Sequence, residues 1–183
     1  VGVLVTNKYA SSEQVNTVAS VSGLHRSGEN WQFKYLFSHS TDKNHSNSVS
    51  GFGGNFNLDY ASNNMFFSSN HSLISKSYLP GIGFVSRGNL LTHNTGIIPI
   101  IRPKWKPKFV RSFQPGVFVS ASQQASDLRM QEGAISTYPC YLIFNDGSLL
   151  AFRHRYNWQL LTEDLSILDY TIGKGDYYYN SYR

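Results

Sequence analysis

Apolar and polar residues alternate along most of this chain with a period of two. The cleanest stretch runs from Gly51 to Tyr60. Phe52, Phe56, Leu58 and Tyr60 share one face with Gly54, and Gly53, Asn55, Asn57 and Asp59 take the other. Such alternation is the signature of a half-buried strand and does not fit a helix. Trp31 to Ser40 repeats it, with Trp31, Phe33, Tyr35 and Phe37 against Gln32, Lys34, Ser38 and Ser40. The longest pair of alternating runs, Ile135 to Phe144 and Leu149 to Trp158, flanks Asn145-Asp146-Gly147-Ser148. Asp-Gly between two such runs predicts a hairpin closed by a two-residue turn, because both residues accept positive φ. That turn sets Asn145 opposite Ser148, Ile143 opposite Leu150, Tyr141 opposite Phe152, Pro139 opposite His154, Thr137 opposite Tyr156 and Ile135 opposite Trp158. Ser136, Tyr138, Cys140, Arg153, Arg155 and Asn157 fall on the second face.

Further strands are expected at Gly2 to Thr6, Val15 to Arg26, Met65 to Ile74, Leu90 to Ile101, Phe109 to Ser122 and Leu161 to Tyr170, with a Tyr-rich strand from Tyr177 to Arg183. Pro99 and Pro115 remove ladder donors from two of these. Turns are expected at Ser27-Gly28-Glu29-Asn30 and Ser62-Asn63-Asn64. Polar loops are expected at Thr41 to Asn47, at Ser77 to Asn89 around a short strand at Ile82 to Val85, and at Ser126 to Gly133. The sum is an all-β chain of about nine or ten antiparallel strands, joined by alternating short and longer connections, as in an up-and-down barrel.

Strand length sharpens this. Each arm of the Asp-Gly hairpin is about ten residues, against about five or six in soluble proteins. A tilted strand of about 9–11 residues crosses a bilayer. No run approaches the roughly twenty apolar residues of a spanning helix, but a closed barrel satisfies its backbone groups without one. The expectation is an incomplete outer-membrane β-barrel, with 1–183 forming part of a single barrel domain. Lys34, Asn55, Asn57, Asp59, Arg153, Arg155 and Asn157 are then the lumen-facing candidates. Trp31, Tyr60, Trp105, Trp158 and Tyr177 fall near strand ends, where aromatic girdles meet the membrane interfaces.

Composition agrees with one greasy and one uncharged polar face. Charged residues are 15% of the 183, while Tyr and Phe number twelve each. The net charge of +5 is concentrated only at Arg102-Pro103-Lys104-Trp105-Lys106-Pro107-Lys108. Cations among prolines read as a connection at the membrane rim, where they meet lipid phosphates, and no nucleic-acid partner is expected. The lone Cys140 excludes an internal disulfide framework and a Cys-cluster metal site. His25, His39, His45, His71, His93 and His154 show no zinc-like pair. Glu163-Asp164 is the only adjacent acidic pair, and its place suits a rim or turn better than paired carboxylates acting across a sugar. Gly51-Phe52-Gly53-Gly54 lacks the helix a phosphate loop requires. Asn44-His45-Ser46 and Asn70-His71-Ser72 match the short glycosylation pattern, which is common by chance. No catalytic, cofactor-binding or metal residue is assigned.

Three stretches carry a resemblance: Gly2-Val-Leu-Val-Thr-Asn7, Pro80-Gly-Ile-Gly-Phe-Val-Ser-Arg87, and Ile172-Gly-Lys-Gly-Asp-Tyr-Tyr-Tyr-Asn-Ser-Tyr-Arg183. In order and spacing they resemble the C-terminal barrel domain of a little-characterised outer-membrane family. Its full-length members place a signal peptide and a family 9-like carbohydrate-binding domain before the barrel. The resemblance implies a Gram-negative outer membrane, a lipid bilayer as partner, and carbohydrate handled by an N-terminal domain that this chain lacks, along with some barrel strands. An anchoring role follows, with a solute path as an addition. The rivals are a soluble β-sandwich that binds glycans or protein, and an outer-membrane hydrolase.

Overall fold

The computed structural model describes residues 1–11, 14–44, 47–81, 83, 85, 87–168 and 170–183. Among them every regular element is a strand: β1 (Gly2–Ser11), β2 (Gln14–Ser27), β3 (Trp31–Asn44), β4 (Asn47–Ala61), β5 (Met65–Ile74), β6 (Leu90–Pro99), β7 (Val110–Phe113), β8 (Gly116–Gln124), β9 (Met130–Phe144), β10 (Leu149–Leu161), β11 (Leu165–Ile167), β12 (Tyr170–Ile172) and β13 (Gly175–Tyr182). One sheet runs in the order β1-β2-β3-β4-β5-β6-β8-β9-β10-β13, with β7 also paired to β9, and β11–β12 form a separate small hairpin. Each strand on that path lies beside its neighbour in sequence once β7 and β8 are read as one strand interrupted at Gln114-Pro115, except that β13 joins β10 past the β11–β12 hairpin. The architecture is an antiparallel up-and-down meander. The path ends at β1 and β13, so no closed barrel is seen among the described residues.

The chain divides into two compact units. The first comprises Val1–Leu58, Asn70–Thr92 and Gln123–Arg129, and the second Asp59–Ser69, His93–Ser122 and Met130–Arg183. In the first, β2 and β3 pair without a shift from Gln14 opposite Asn44 to Ser27 opposite Trp31. Val21 sits between Val3 and Phe37 on one face, and Asn16, Val18 and Ser20 lie opposite Asp42, Ser40 and Ser38 on the other. β3 continues to Asn44, through residues expected as loop. Asp42 and Lys43 are weak strand formers, but their pairing with Asn16 and Val15 overrides propensity.

In the second unit the Asp-Gly hairpin forms, but its register differs from the expected one. Phe144 N donates to Ser148 O and Gly147 N to Phe144 O, so the connection is the three residues Asn145-Asp146-Gly147. Of these only Gly147 takes a positive φ, 86°, as in a type I turn followed by a left-handed residue. Asn145 does not face Ser148 because its donors are engaged elsewhere: its N–H bonds Phe109 O and its Nδ2 bonds Lys108 O. Leu149 therefore pairs with Ile143, Leu150 with Leu142, Ala151 with Tyr141 and Phe152 with Cys140. The register slips once more between Phe152 and His154, beside Pro139, which has no N–H to continue the ladder. Beyond it His154 pairs with Thr137, Tyr156 with Ile135 and Trp158 with Gly133. A one-residue slip turns side chains to the other face. Cys140 accordingly joins Leu142, Leu150 and Phe152 and does not oppose Arg153.

Other boundaries also moved. The expected strand at Leu161 to Tyr170 is the β11–β12 hairpin. The expected Phe109–Ser122 strand is split at Pro115. The suggested strand at Ile82 to Val85 lies partly outside the described residues.

Burial is largely inverted relative to a water-soluble protein: among the described residues only Val18, Val110 and Ala134 are buried hydrophobics. The two side chains most withdrawn from solvent are Ser40 and Ser112, at 1% exposure each, and Asn16, Ser38, Ser69 and Asn157 are also buried. Phe37 is 58% exposed, Phe52 52% and Phe152 45%, with Val117, Val119, Ile135 and Tyr156 exposed as well.

Candidate functional site

The buried Asn16, Ser38 and Ser40 and the half-buried Ser20 lie on one face because they are even-numbered positions in unshifted register. Their short side chains leave space, and the chain after β5 fills it. Residues 75–81 lie along this face as a strap. Asn16 is the hub. Its Nδ2 donates to Leu79 O at 2.8 Å and to Asp42 Oδ1 at 3.0 Å, and its Oδ1 accepts from Gly81 N at 2.8 Å. Ser40 Oγ accepts from Leu79 N at 3.0 Å. Ser38 Oγ and Tyr78 Oη are 2.7 Å apart, and Ser20 Oγ donates to Ser38 Oγ at 2.9 Å. At the strap's root Ser75 N donates to Phe52 O, and Phe52 N donates to Ser75 Oγ.

Two glycines of β4 make the approach feasible. A Cβ on Gly51 would stand 2.3 Å from the Ser77 and Tyr78 backbone, and one on Gly53 would stand 3.2 Å from the Tyr78 ring. Glycine inside a strand weakens it and marks a place where another backbone comes close. Leu79 N, Leu79 O and Gly81 N of the strap are satisfied by side chains of the sheet, as buried polar groups must be.

The same face carries further polar pairs. Asn55 and Asn70 exchange amide contacts, and Asn55 Nδ2 also donates to His71 O. Ser72 and Thr92 hydroxyls are 2.5 Å apart. Lys34, two positions along β3 from Leu36, is exposed on the same alternation as Ser38 and Ser40. Asn57 is half-buried on β4 between Asn55 and Asp59.

In the second unit Asp59 accepts from Ser68 Oγ at 2.7 Å. Arg155 and Asn157 alternate on β10 and line a polar pocket of about 250 Å³ with Ser120, Ser122, Glu132 and Tyr179. Asn157 is buried, and its Nδ2 reaches Arg155 O and Tyr179 O at 3.4 Å. Arg153 pairs through its backbone with Arg183. The Nε atoms of Arg153 and Arg155 are buried without a hydrogen-bond partner among the described residues.

The expected interface aromatics are spread along the chain. Trp31 closes the β2–β3 turn, and Tyr60 stands near the end of β4. Trp105, 85% exposed, lies between β6 and β7. Trp158 lies on β10 opposite Tyr178. Tyr177 is on β13, with its hydroxyl donating to Gly173 O.

Chemistry-bearing residues are scattered. Asp164 Oδ1 accepts from Lys174 N and so closes the loop around β11–β12. His71 packs against Phe56, and His154 stacks on Tyr182 with its Nε2 2.9 Å from Asn180 Oδ1. His45 lies outside the described residues. No group of three His, Cys, Asp or Glu able to hold a metal occurs among the described residues.

Sequence reasoning did not identify the Asn16 hub or the strap. The signal was present in Ser38, Ser40, Gly51 and Gly53, small residues sharing one face of neighbouring strands. Such a strip calls for something to fill it. No family model, no curated protein and no solved structure matches this chain.

Proposed function

We propose that this chain is a segment of a bacterial outer-membrane β-barrel that anchors its host protein, with its apolar face toward lipid and its polar face toward the lumen. The inverted burial carries the reading. In water, exposed Phe37, Phe52, Val117, Val119, Ile135 and Phe152 would be a severe liability. Facing lipid, they are the expected outward band. Strand length supports the same reading, since β2, β3, β4, β9 and β10 have 13 to 15 residues, more than the roughly 9–11 needed to cross.

On this reading the strap at residues 75–81 is an inward-folded segment that narrows the lumen beside β2–β4. A carbohydrate-handling domain upstream follows from the family resemblance and adds cargo to the anchor. A soluble sandwich would instead bury Phe52 and Phe152, which are exposed here.

The test is a spin-label scan from Gly51 to Tyr60 in the full-length protein reconstituted in lipid. Oxygen accessibility at positions 52, 54, 56, 58 and 60, with shielding at the odd positions, is the expected result. Lipid-shielded even positions with odd positions in bulk water would replace the barrel by a sandwich.

A further inference from the structure

Between β6 and β7 the chain folds back over the face that carries Leu142 and Phe144. Ile101 bridges Phe113, and the Phe109 ring stacks on Phe144 at 6.1 Å. The result is an open apolar groove of about 730 Å³, walled by Pro103, Trp105, Pro107, Phe113, Leu142 and Phe144. The fold-back is internally braced. Lys106 N donates to Pro103 O, Val110 N to Pro107 O, and Lys106 Nζ to Val110 O. Asn145 fastens it to the β9–β10 turn through Lys108 O and Phe109 O.

The charge around this groove has one sign. Residues 101–113 contain Arg102, Lys104, Lys106, Lys108 and Arg111 and no acid. Two of these cations are engaged, Arg102 with Asn63 O and Lys106 with Val110 O. Lys106 lines the groove, and the exposed Lys104 and Lys108 adjoin its lining residues Pro103, Trp105, Pro107 and Phe109 in sequence. The acid adjoining Asn145, Asp146, is bonded to Ser148. The groove lies on the face shared by Leu150 and Phe152, the lipid side in the reading above. Its occupant there must offer hydrocarbon to the walls and negative charge to the two lysines.

We propose that this groove is a binding site for an anionic phospholipid of the surrounding leaflet. One acyl chain lies along Trp105, Phe113 and Phe144, and the headgroup phosphate meets Lys104 and Lys108. Trp at the headgroup level and basic side chains near anionic lipid are each favourable there. The proposal rests on the membrane reading.

The experiment uses full-length protein reconstituted in phosphatidylcholine vesicles, with Trp105 as this chain's single tryptophan (Trp31→Phe, Trp158→Phe) and any outside it also replaced by Phe. A minor fraction of the lipid carries brominated acyl chains, on either phosphatidylglycerol or phosphatidylcholine. Quenching should show preference for phosphatidylglycerol at Trp105 of about fivefold or more, falling toward unity in Lys104→Gln/Lys108→Gln. Equal quenching by the two lipids overturns the site, as does a preference that survives the double substitution. Displacement by inorganic phosphate would also overturn it, because the acyl chain would then be dispensable. A companion protein with Trp158 as its single tryptophan, in fully brominated phosphatidylcholine, reports insertion. Quenching there with no preference at Trp105 removes this site and leaves the barrel reading standing. Absence of quenching there removes both.

Discussion

The β2–β3 and β9–β10 hairpins are both closed by three-residue connections, yet they handle their polar faces differently. In β2–β3 the register is unbroken, and the glycine at positive φ, Gly28, opens the connection. In β9–β10 the glycine, Gly147, ends it, and the ladder slips beside Pro139. Where the strap crosses it, the polar face of β2–β3 carries Asn16, Val18, Ser20, Ser38 and Ser40, short side chains that admit a second piece of backbone. The polar face of β9–β10 carries Arg155 and Asn157 around an open pocket. A sheet can thus fill its polar face with small residues plus a strap, or leave a pocket lined by an arginine and other polar side chains. The first solution depends on steric room and the second does not.

Glycine substitution tests that difference most strongly. Gly51→Ala drives a methyl into the Ser77–Tyr78 backbone, which side-chain rotation cannot relieve. The strap must lift, and the loss should be about 3 kcal/mol, from overpacking and the broken hydrogen bonds together. Gly133→Ala places its methyl 3.4 Å from Ser120 O and should cost under about 1 kcal/mol. Urea midpoints in lipid, with chymotryptic cleavage after Tyr78 as a local readout, check the pair. Equal costs would mean that the strap does not depend on room at Gly51.

Asn16→Ala comes next. It removes the acceptor of Gly81 N and a donor to Leu79 O while leaving the steric room intact, so about 2 kcal/mol should be lost. Cleavage at Tyr78 should rise less than in Gly51→Ala. A larger rise than in Gly51→Ala would show that the hub, and not the space, holds the strap. In the other hairpin, Arg155→Met removes a buried Nε without a partner. It should leave stability at or above that of the native chain, within about 1 kcal/mol. A clear loss would show that the guanidinium is a structural counterpart of Asn16.

This contrast also explains what the sequence made legible. Period-two alternation located the strand starts at Trp31, Met65, Leu90 and Leu149, because a two-faced sheet writes its faces into every second residue, whereas the strand expected from Gly51 begins at Asn47. It also brought Phe52, Phe56 and Gly54 to one face correctly. Turn chemistry was less legible. Asp-Gly marks a hairpin, but whether Asn145 stays in the ladder depends on Lys108 O and Phe109 O, distant in sequence. Proline marked the disruptions at Pro115 and Pro139 without telling how the register resumes. The strap was least legible, since its partners lie as many as 65 residues apart, at Gly81 and Asn16, and no local pattern encodes such a pairing.

The smallest effect concerns the turn that separates the two hairpins in kind. Asp146 Oδ1 accepts from Ser148 N at 2.9 Å and from Ser148 Oγ at 2.7 Å. The Ser148 hydroxyl, then its N–H, holds the carboxyl below the usual carboxylate range. A carboxylate with a lowered folded-state pKa contributes stability that is complete above its unfolded pKa and is lost as pH falls through the folded value. Amide exchange at Ser148 should therefore accelerate on acidification below the ordinary carboxylate range. Asp146→Asn keeps an oxygen acceptor for Ser148 N and removes the titration, so its exchange, corrected for intrinsic rates, should be flat over the same interval. Exchange at the β2–β3 turn, followed at Trp31 N–H, serves as the internal reference. If Ser148 in the Asn variant keeps the pH response, the carboxylate is not its source, and the turn is held by Gly147 and the Asn145 contacts alone.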